Sequence, residues 1–336
     1  MISLVWDYET MSSHPSRVWR AVVTSAIAAV LLSGCSPGGS KSDGTAVGES
    51  PRAGATTGST ATSSTGPTTT TAGPVGLSSA QPCTGASKPS RWLHVVWIIM
   101  ENHGLDQIES SSQAPYLNTL GSRCGLATDY SAVSHPSLPN YLALTSGSTH
   151  GISDDSGHQL SAPSLFGLLG AGWRSLEESM PADCDRTSSG EYAVKHNPAA
   201  FYTPVAPDCL TQDVPLTNPP DVSAEFTLIT PNLCDDMHDC STQTGDAWLS
   251  REVPLVLDSS EYRSGSTAVF ITWDENDGGG TLVPCYVIAP SVVPGTRSTS
   301  QFNHYSLLRT TEEMLALNPL LGQAATAPAM RGAFHL

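Results

Sequence analysis

The chain has 336 residues, a formal net charge of −16 and only three lysines, Lys41, Lys88 and Lys195. Nucleic-acid backbones are held by clustered Lys and Arg, so this balance argues against a nucleic-acid partner, though not against a phosphate ester held through metal ions. Much of the first eighty residues is too poor in large apolar side chains to pack, which leaves roughly 255 residues, a size one α/β domain commonly fills.

At the N-terminus, Arg17 and Arg20 precede the apolar stretch AVVTSAIAAVLLS at 21–33. Such a run, about thirteen residues, is short for a bilayer span and has the length of a signal-peptide core. It closes on Leu32, Ser33, Gly34 and Cys35, which resembles the lipobox of bacterial lipoproteins, where the cysteine is lipidated and becomes the first mature residue. Residues 36–80 are mostly Gly, Ser, Thr, Ala and Pro, and cannot bury enough surface to offset the entropy of ordering. The expected organisation is therefore a lipoprotein leader over 1–35, a disordered tether over 36–80 and one globular domain over 81–336. Export follows, with the chain secreted or held on the outer face of a bacterial cytoplasmic membrane by its lipid alone.

The domain alternates strands with helices. RWLHVVWIIM (91–100), EFTLIT (225–230) and TAVFITW (267–273) are apolar runs rich in β-branched residues, the pattern of strands covered on both faces. Further strands are expected near 126–133 and 282–289, and helices near 114–120, 139–144, 163–170, 244–257 and 304–316. This alternation predicts a largely parallel sheet between helical layers. Each of the three apolar runs ends in polar residues: Glu101, Asn102 and His103 after the first, Asn232, Asp235, Asp236 and His238 after the second, Asp274 and Glu275 after the third. Ligands of such sheets bind beyond the carboxyl ends of the strands.

With Cys35 set aside, seven cysteines remain, an odd number in an exported chain. Sequence does not fix connectivity; the preferred pairs are Cys184–Cys209, Cys234–Cys240 and Cys83–Cys124, leaving Cys285 as a buried free thiol in a strand. No CxxC pair occurs, so a thiolate metal site is weakly supported.

In SHPSLPNYLALTSGSTHGI (134–152) a strand ends, a Pro-punctuated turn follows and Ser137 opens a helix, where backbone amides favour an anion. A serine so placed can attack phosphorus if a base or metal helps remove its proton. The plain alternative is a helix-capping serine beside a surface turn histidine, His135.

ENH at 101–103, SHPSLPNY at 134–141, EESMP at 177–181, KHNP at 195–198, TPNLCDDMHDC at 230–240, TGDAWL at 244–249, TWDENDGG at 272–279 and NHYSLLRT at 303–310 together resemble the bacterial phosphoesterase family, of acid phosphatase and phospholipase C type, within the alkaline phosphatase superfamily. That resemblance implies a three-layer α/β/α sandwich and a metal-assisted serine or threonine nucleophile, with 81–336 as the catalytic domain. By position it implies Ser137 as nucleophile, its SLPN also resembling the TFPN element of nucleotide phosphodiesterases. Glu101, Asn102, Asp274, Glu275 and His304 are the implied metal ligands, and His135 and His196 the residues that contact substrate or protonate the leaving alcohol. Asn140, Asn232, Asp236 and His238 are expected to touch substrate or support the site. Glu178, Ser179 and Lys195 read as pocket walls, and Asp246 and Trp248 as cap and core residues. Divalent ions are implied, with identity and number open because an asparagine, Asn102, stands where the superfamily has an aspartate. A monomer acting on phosphomonoesters is expected. The alternatives are a phospholipase C type or phosphoinositide-directed enzyme, and, from another class, an inactive surface lipoprotein that captures ligands.

Overall fold

A computed structural model describes residues 77–336. The expected leader over 1–35, its Cys35 and nearly all of the expected tether lie outside the described residues. The described part takes in Leu77–Ala80, assigned above to the tether: Leu77 is buried, and Ser79 donates from N and Oγ to the two carboxylate oxygens of Asp258.

In chain order the elements are β1 (His94–Met100), α1 (Leu105–Ile108), α2 (Pro115–Arg123), β2 (Gly125–Ala127), β3 (Tyr130–Ser131), α3 (Ser137–Ser146), α4 (Leu165–Leu169), β4 (Trp173–Glu177), α5 (Cys209–Gln212), β5 (Asp213–Pro215), β6 (Phe226–Thr230), α6 (Thr242–Leu257), α7 (Ser260–Arg263), β7 (Thr267–Trp273), β8 (Cys285–Ile288), β9 (Arg297–Ser298), β10 (Phe302–Asn303), α8 (His304–Leu315) and α9 (Arg331–Phe334). Eight strands form one sheet in the order β5-β4-β6-β1-β7-β8-β2-β9, while β3 and β10 make a separate parallel pair. The sheet is parallel except at β8, which runs antiparallel to both β7 and β2. This is an α/β fold built on a large, mostly parallel sheet.

The three long apolar runs are neighbours at the centre of that sheet. β1 pairs with β6 from Val95↔Phe226 to Ile98↔Ile229, and with β7 from His94↔Thr267 to Met100↔Trp273. Every residue of β6 and β7 is buried, as strands covered on both faces require. Two strands escape the periodicity argument. β4, WRSLE, carries Arg174 and Glu177 in five residues, and β5 is only three residues long. The region expected as one strand near 126–133 divides into β2 in the main sheet and β3 in the small pair.

Disulfides join Cys83–Cys124, Cys184–Cys209 and Cys234–Cys240, and Cys285 is free and buried. Three such bonds belong to an oxidising compartment. No described helix is long and apolar enough to cross a membrane.

Asp246 and Trp248 have structural partners. The Asp246 carboxylate accepts from the amides of Tyr116 (3.0 Å) and Leu117 (2.9 Å) at the start of α2, serving from α6 as a cap that α2 lacks in its own sequence. Trp248 Nε1 donates to Glu178 Oε1 at 3.1 Å, and Glu178 Oε2 accepts from the Asn232 amide at 3.0 Å. Asp246→Ala should therefore cost about 1–2 kcal/mol and lower Tm by about 2–6 °C in calorimetry, with Asp246→Asn losing less. An unshifted Tm in Asp246→Ala would remove the capping role.

Candidate active site

Ser137 is the first residue of α3, behind an extended Pro136. Asn140 turns back to shape the segment that delivers it. Its Oδ1 accepts from Val133 N (3.1 Å) and Ser134 N (3.0 Å), and its Nδ2 donates to Ser134 O (2.9 Å) and Pro136 O (3.3 Å). With both ends of its amide committed, Asn140 supports the site rather than reaching for a ligand. The helix stops at Gly147, whose φ of 72° suits glycine and where a Cβ would lie 2.3 Å from Leu321 O. Ser137 is 1% exposed, and its Oγ donates to Glu101 Oε2 at 3.1 Å. Tyr141, one turn further along α3, donates to Glu101 Oε1 at 2.7 Å.

Strand register brings the acids together. Met100 and Trp273 are partners, so Glu101 and Asp274 leave adjacent strands side by side, and Asp274 N donates to Met100 O at 3.0 Å. On the other flank of β1 the loop after β6 contributes Asp236, whose carbonyl accepts from Glu101 N at 2.9 Å. Asn232 shapes that loop, its Oδ1 accepting from the amides of Cys234 and Asp235 at 3.0 Å each and its Nδ2 donating to Ser179 Oγ at 3.1 Å. The Cys234–Cys240 bond closes the loop, which then lies tightly on α6: a Cβ on Gly245 would come within 2.4 Å of Met237 Cγ.

Glu101, Asp236 and Asp274 are fully buried. Burial, then the charges of Asp274 and Asp236, holds Glu101 well above the usual carboxylate range. Asp236 is raised mainly by burial, with Asp274 adding to it, and Asp274 is pushed up to about 8 by burial and then by Glu275. Three acids this close cannot all ionise unless a cation joins them.

His196 enters from a short 3₁₀ turn, Val194–His196, and stacks on Tyr141 with ring centroids 5.4 Å apart. Asn197 anchors that turn by donating to both carboxylate oxygens of Asp213, at 2.9 and 3.0 Å. His196 Nε2 lies 3.1 Å from Glu101 Oε1, and Nδ1 lies 3.2 Å from Asp236 Oδ2. Neither contact is aligned as a hydrogen bond, so His196 Nε2 and Asp236 Oδ2 are buried without partners, as is Asp274 Oδ2. Burial holds His196 well below its usual pKa, with the Lys195 charge adding to the effect, so its ring is neutral and able to ligate. Ligand atoms of Glu101, His196 and His238 lie within 4.8 Å of one another. Orphaned atoms, a neutral imidazole and crowded carboxylates fit a divalent cation of hard or borderline character.

The remaining expected residues lie around this centre with different partners. Glu275 is nearly buried, and its Oε2 pairs with Nδ1 of half-exposed His135 at 2.5 Å. Asn102 has a left-handed φ of 61°, and it is its backbone amide that meets Asp274 Oδ1, at 3.3 Å. His304 departs from the ligand role implied for it. Its Nε2 must donate to the carbonyl of Asp274 (2.6 Å), which leaves Nδ1 to accept from Tyr130 OH (3.1 Å). No lone pair remains for a metal in this tautomer. Burial lowers its pKa to about 4, and the neutral ring holds Asp274 in place.

Two residues of the centre were not anticipated, Tyr141 and Asp155. Tyr141 was visible as the residue one turn after Ser137, a spacing that puts both on one face of a helix. Asp155 lies in a loop whose sequence, SDDSGHQ, gives no signal of contact with the site. Its Oδ1 accepts from Leu138 N at 2.9 Å, and its Oδ2 from Lys195 Nζ at 3.2 Å. Lys195 Nζ also donates to His238 Nε2 at 3.1 Å, so Lys195, read above as a pocket wall, belongs to the centre.

A helix-borne serine bonded to an acid, among further acids at the ends of parallel strands, is an arrangement that suits an ester hydrolase. The chain belongs to the Phosphoesterase family, whose profile matches residues 110–318, a span that holds Ser137, His196, Asp236 and Asp274 while Glu101 precedes it. It is 33% identical over 258 residues, 72% of this chain and 83% of the relative, to a phosphatidylinositol-3-phosphatase of Mycobacterium tuberculosis. It is 28% identical over 246 residues to a probable acid phosphatase of Kluyveromyces lactis, covering 64% of this chain but only 56% of that protein. In fold it is similar to a protein in the alkaline phosphatase superfamily from Vibrio parahaemolyticus, with a TM-score of 0.50 at 12% identity over 75% of this chain and 74% of the other. The chain is a phosphoric ester hydrolase.

Chain stripped with chelator should take up a divalent ion, measured by calorimetry. Asp236→Asn should weaken that uptake about tenfold or more, because it removes a charge from the centre. Unchanged affinity in Asp236→Asn would place the ion elsewhere.

Proposed function

We propose that this chain is an exported phosphomonoesterase of acid phosphatase type that uses Ser137 as its nucleophile. The observation that carries this reading is the hydrogen bond from Ser137 Oγ to Glu101 Oε2, made at the start of a ten-residue helix inside the acidic centre. Glu101 takes the serine proton, and Tyr141 holds Glu101 Oε1 so that Oε2 faces the hydroxyl. Ser137 Oγ bonds to phosphorus as the ester P–O bond breaks, and the departing alcoholate gains a proton. In this reading His135, half-exposed and paired with Glu275, gives it. Water then cleaves the phosphoserine and releases inorganic phosphate.

Glu101, Asp236, Asp274 and His196, with His238 at the margin, would hold the divalent ion. Bound there, the ion would neutralise the acids, screen the phosphoryl charge and lower the pKa of the serine hydroxyl. The His304 ring fixes the carbonyl of Asp274 and the Asn102 backbone amide its Oδ1, and Asn140 and Asn232 fix the loops that bring Ser137 and Asp236.

A second reading, hydrolysis of a phosphoinositide head group, is supported by the 33% identity to the phosphatidylinositol-3-phosphatase. The leader over 1–35, lipidation at Cys35, the tether and membrane attachment through lipid belong to the same proposal, and would present the site to phospholipid head groups.

Ser137→Ala should lower turnover of a chromogenic phosphomonoester at least about a thousandfold, with Tm shifted by no more than a few degrees. Retained turnover would remove Ser137 from its role. Wild-type enzyme should cleave the monoester well ahead of a phosphodiester and of phosphatidylcholine vesicles. Preference for the diester would overturn the phosphomonoesterase reading, and preference for vesicles bearing phosphatidylinositol 3-phosphate would select the second one.

A further inference from the structure

The first backbone amide after Ser137 is taken by a side chain of the protein itself. Leu138 N is the first amide after Ser137, at the N-terminal end of α3, where a phosphoryl oxygen of a substrate attacked by Ser137 would be received. Asp155 Oδ1 takes that amide at 2.9 Å, and Asp155 Oδ2 takes the ammonium of Lys195 at 3.2 Å. One planar anion thus bridges a helix N-terminus and a cation within a residue of Ser137. The carboxylate reproduces two contacts that a phosphoryl group would make there, and it comes from a loop separated from α3 by Gly147 and Gly151.

The residue after Lys195 holds a buried polar atom without a partner. His196 Nε2, on a residue with 1% exposure, is that atom. His196 contacts the same Glu101 carboxylate that receives the Ser137 hydroxyl. Lys195 is partly buried between Asp155 and His238. It is the one lysine of the described residues at this centre, and Asp155 neutralises it.

We propose that the Leu138 amide and Lys195 form the phosphoryl-binding cradle, and that Asp155 occupies it in place of substrate and must be displaced for phosphate esters to bind. Lys195 is then a substrate-binding residue, and Asp155 sets the affinity of the site by competing for it. This rests on the reading of Ser137 as nucleophile only for the orientation of the cradle, so the test measures binding rather than turnover.

Inorganic phosphate is titrated calorimetrically, with a divalent ion present, into the Ser137→Ala chain and into Ser137→Ala combined with Asp155→Asn or with Lys195→Ala. Asn at 155 keeps an oxygen for the Leu138 amide but removes the charge that holds Lys195. Asp155→Asn should tighten phosphate binding roughly three- to tenfold, since an apparent affinity rises as the competent fraction of sites rises. Lys195→Ala should weaken it roughly tenfold or more, and Lys195→Arg should restore part of the loss. Circular dichroism identifies any variant that fails to fold, and Asp155→Ser, which retains a capping oxygen, then replaces Asp155→Asn. Phosphate binding that is unchanged or weaker in a folded Asp155 variant would overturn the displacement, and binding indifferent to Lys195→Ala would overturn the cradle. Turnover surviving Ser137→Ala would count against the nucleophile alone and leave these titrations readable.

Discussion

Everything at this centre depends on three carboxylates being buried within reach of one another. Glu101, Asp236 and Asp274 have no exposed surface, and a buried negative charge without compensation is costly enough that the group protonates instead. The sheet enforces the proximity regardless. β6, β1 and β7 are adjacent and in fixed register, so the first residues after β1 and β7 emerge at one edge, and the Cys234–Cys240 loop returns the chain after β6 to the same place. Slipping a strand by one residue would turn each acid to the other face, and the apolar cores of the three strands forbid such a slip. Packing therefore fixes the acids, and their repulsion is one that a bound cation would relieve.

Support for the acids comes from neutral groups. His304 is neutral and donates to the Asp274 carbonyl, Tyr141 donates to Glu101, and Asn140 and Asn232 each use a complete amide to pin a loop. Tyr141 bonds a carboxylate directly and the others hold the backbone that carries the acids, without bringing positive charges that would compete with a cation. That explains why asparagine, histidine and tyrosine surround the acids while lysine and arginine are absent except for Lys195.

The central sheet was legible because its strands are long, apolar and covered on both faces, so each leaves a continuous run in the sequence. β4 and β5 were not legible, because short strands with Arg174, Glu177 and Asp213 have no such run. Among the site residues, Glu101, Asp236 and Asp274 could be read from their places at strand ends, and Ser137 from the turn before its helix. Their partners were harder. The two ring nitrogens of His304 are committed by groups 30 and 174 residues away, and Asp155 acts through the fold of a polar loop. Long-range hydrogen bonding of this kind has no local sequence period to betray it.

The charge of the whole chain raises a problem for its chemistry. At −16, the protein repels a phosphate dianion at long range, so attraction has to be local. Two sources are available within the centre: the cation its acids would hold, and the pairing of Lys195 with the amide at the head of α3. The first is strong but non-directional, whereas the second presents fixed donors from a rigid helix start, and fixed donors aimed at developing charge are the more effective in a water-poor site.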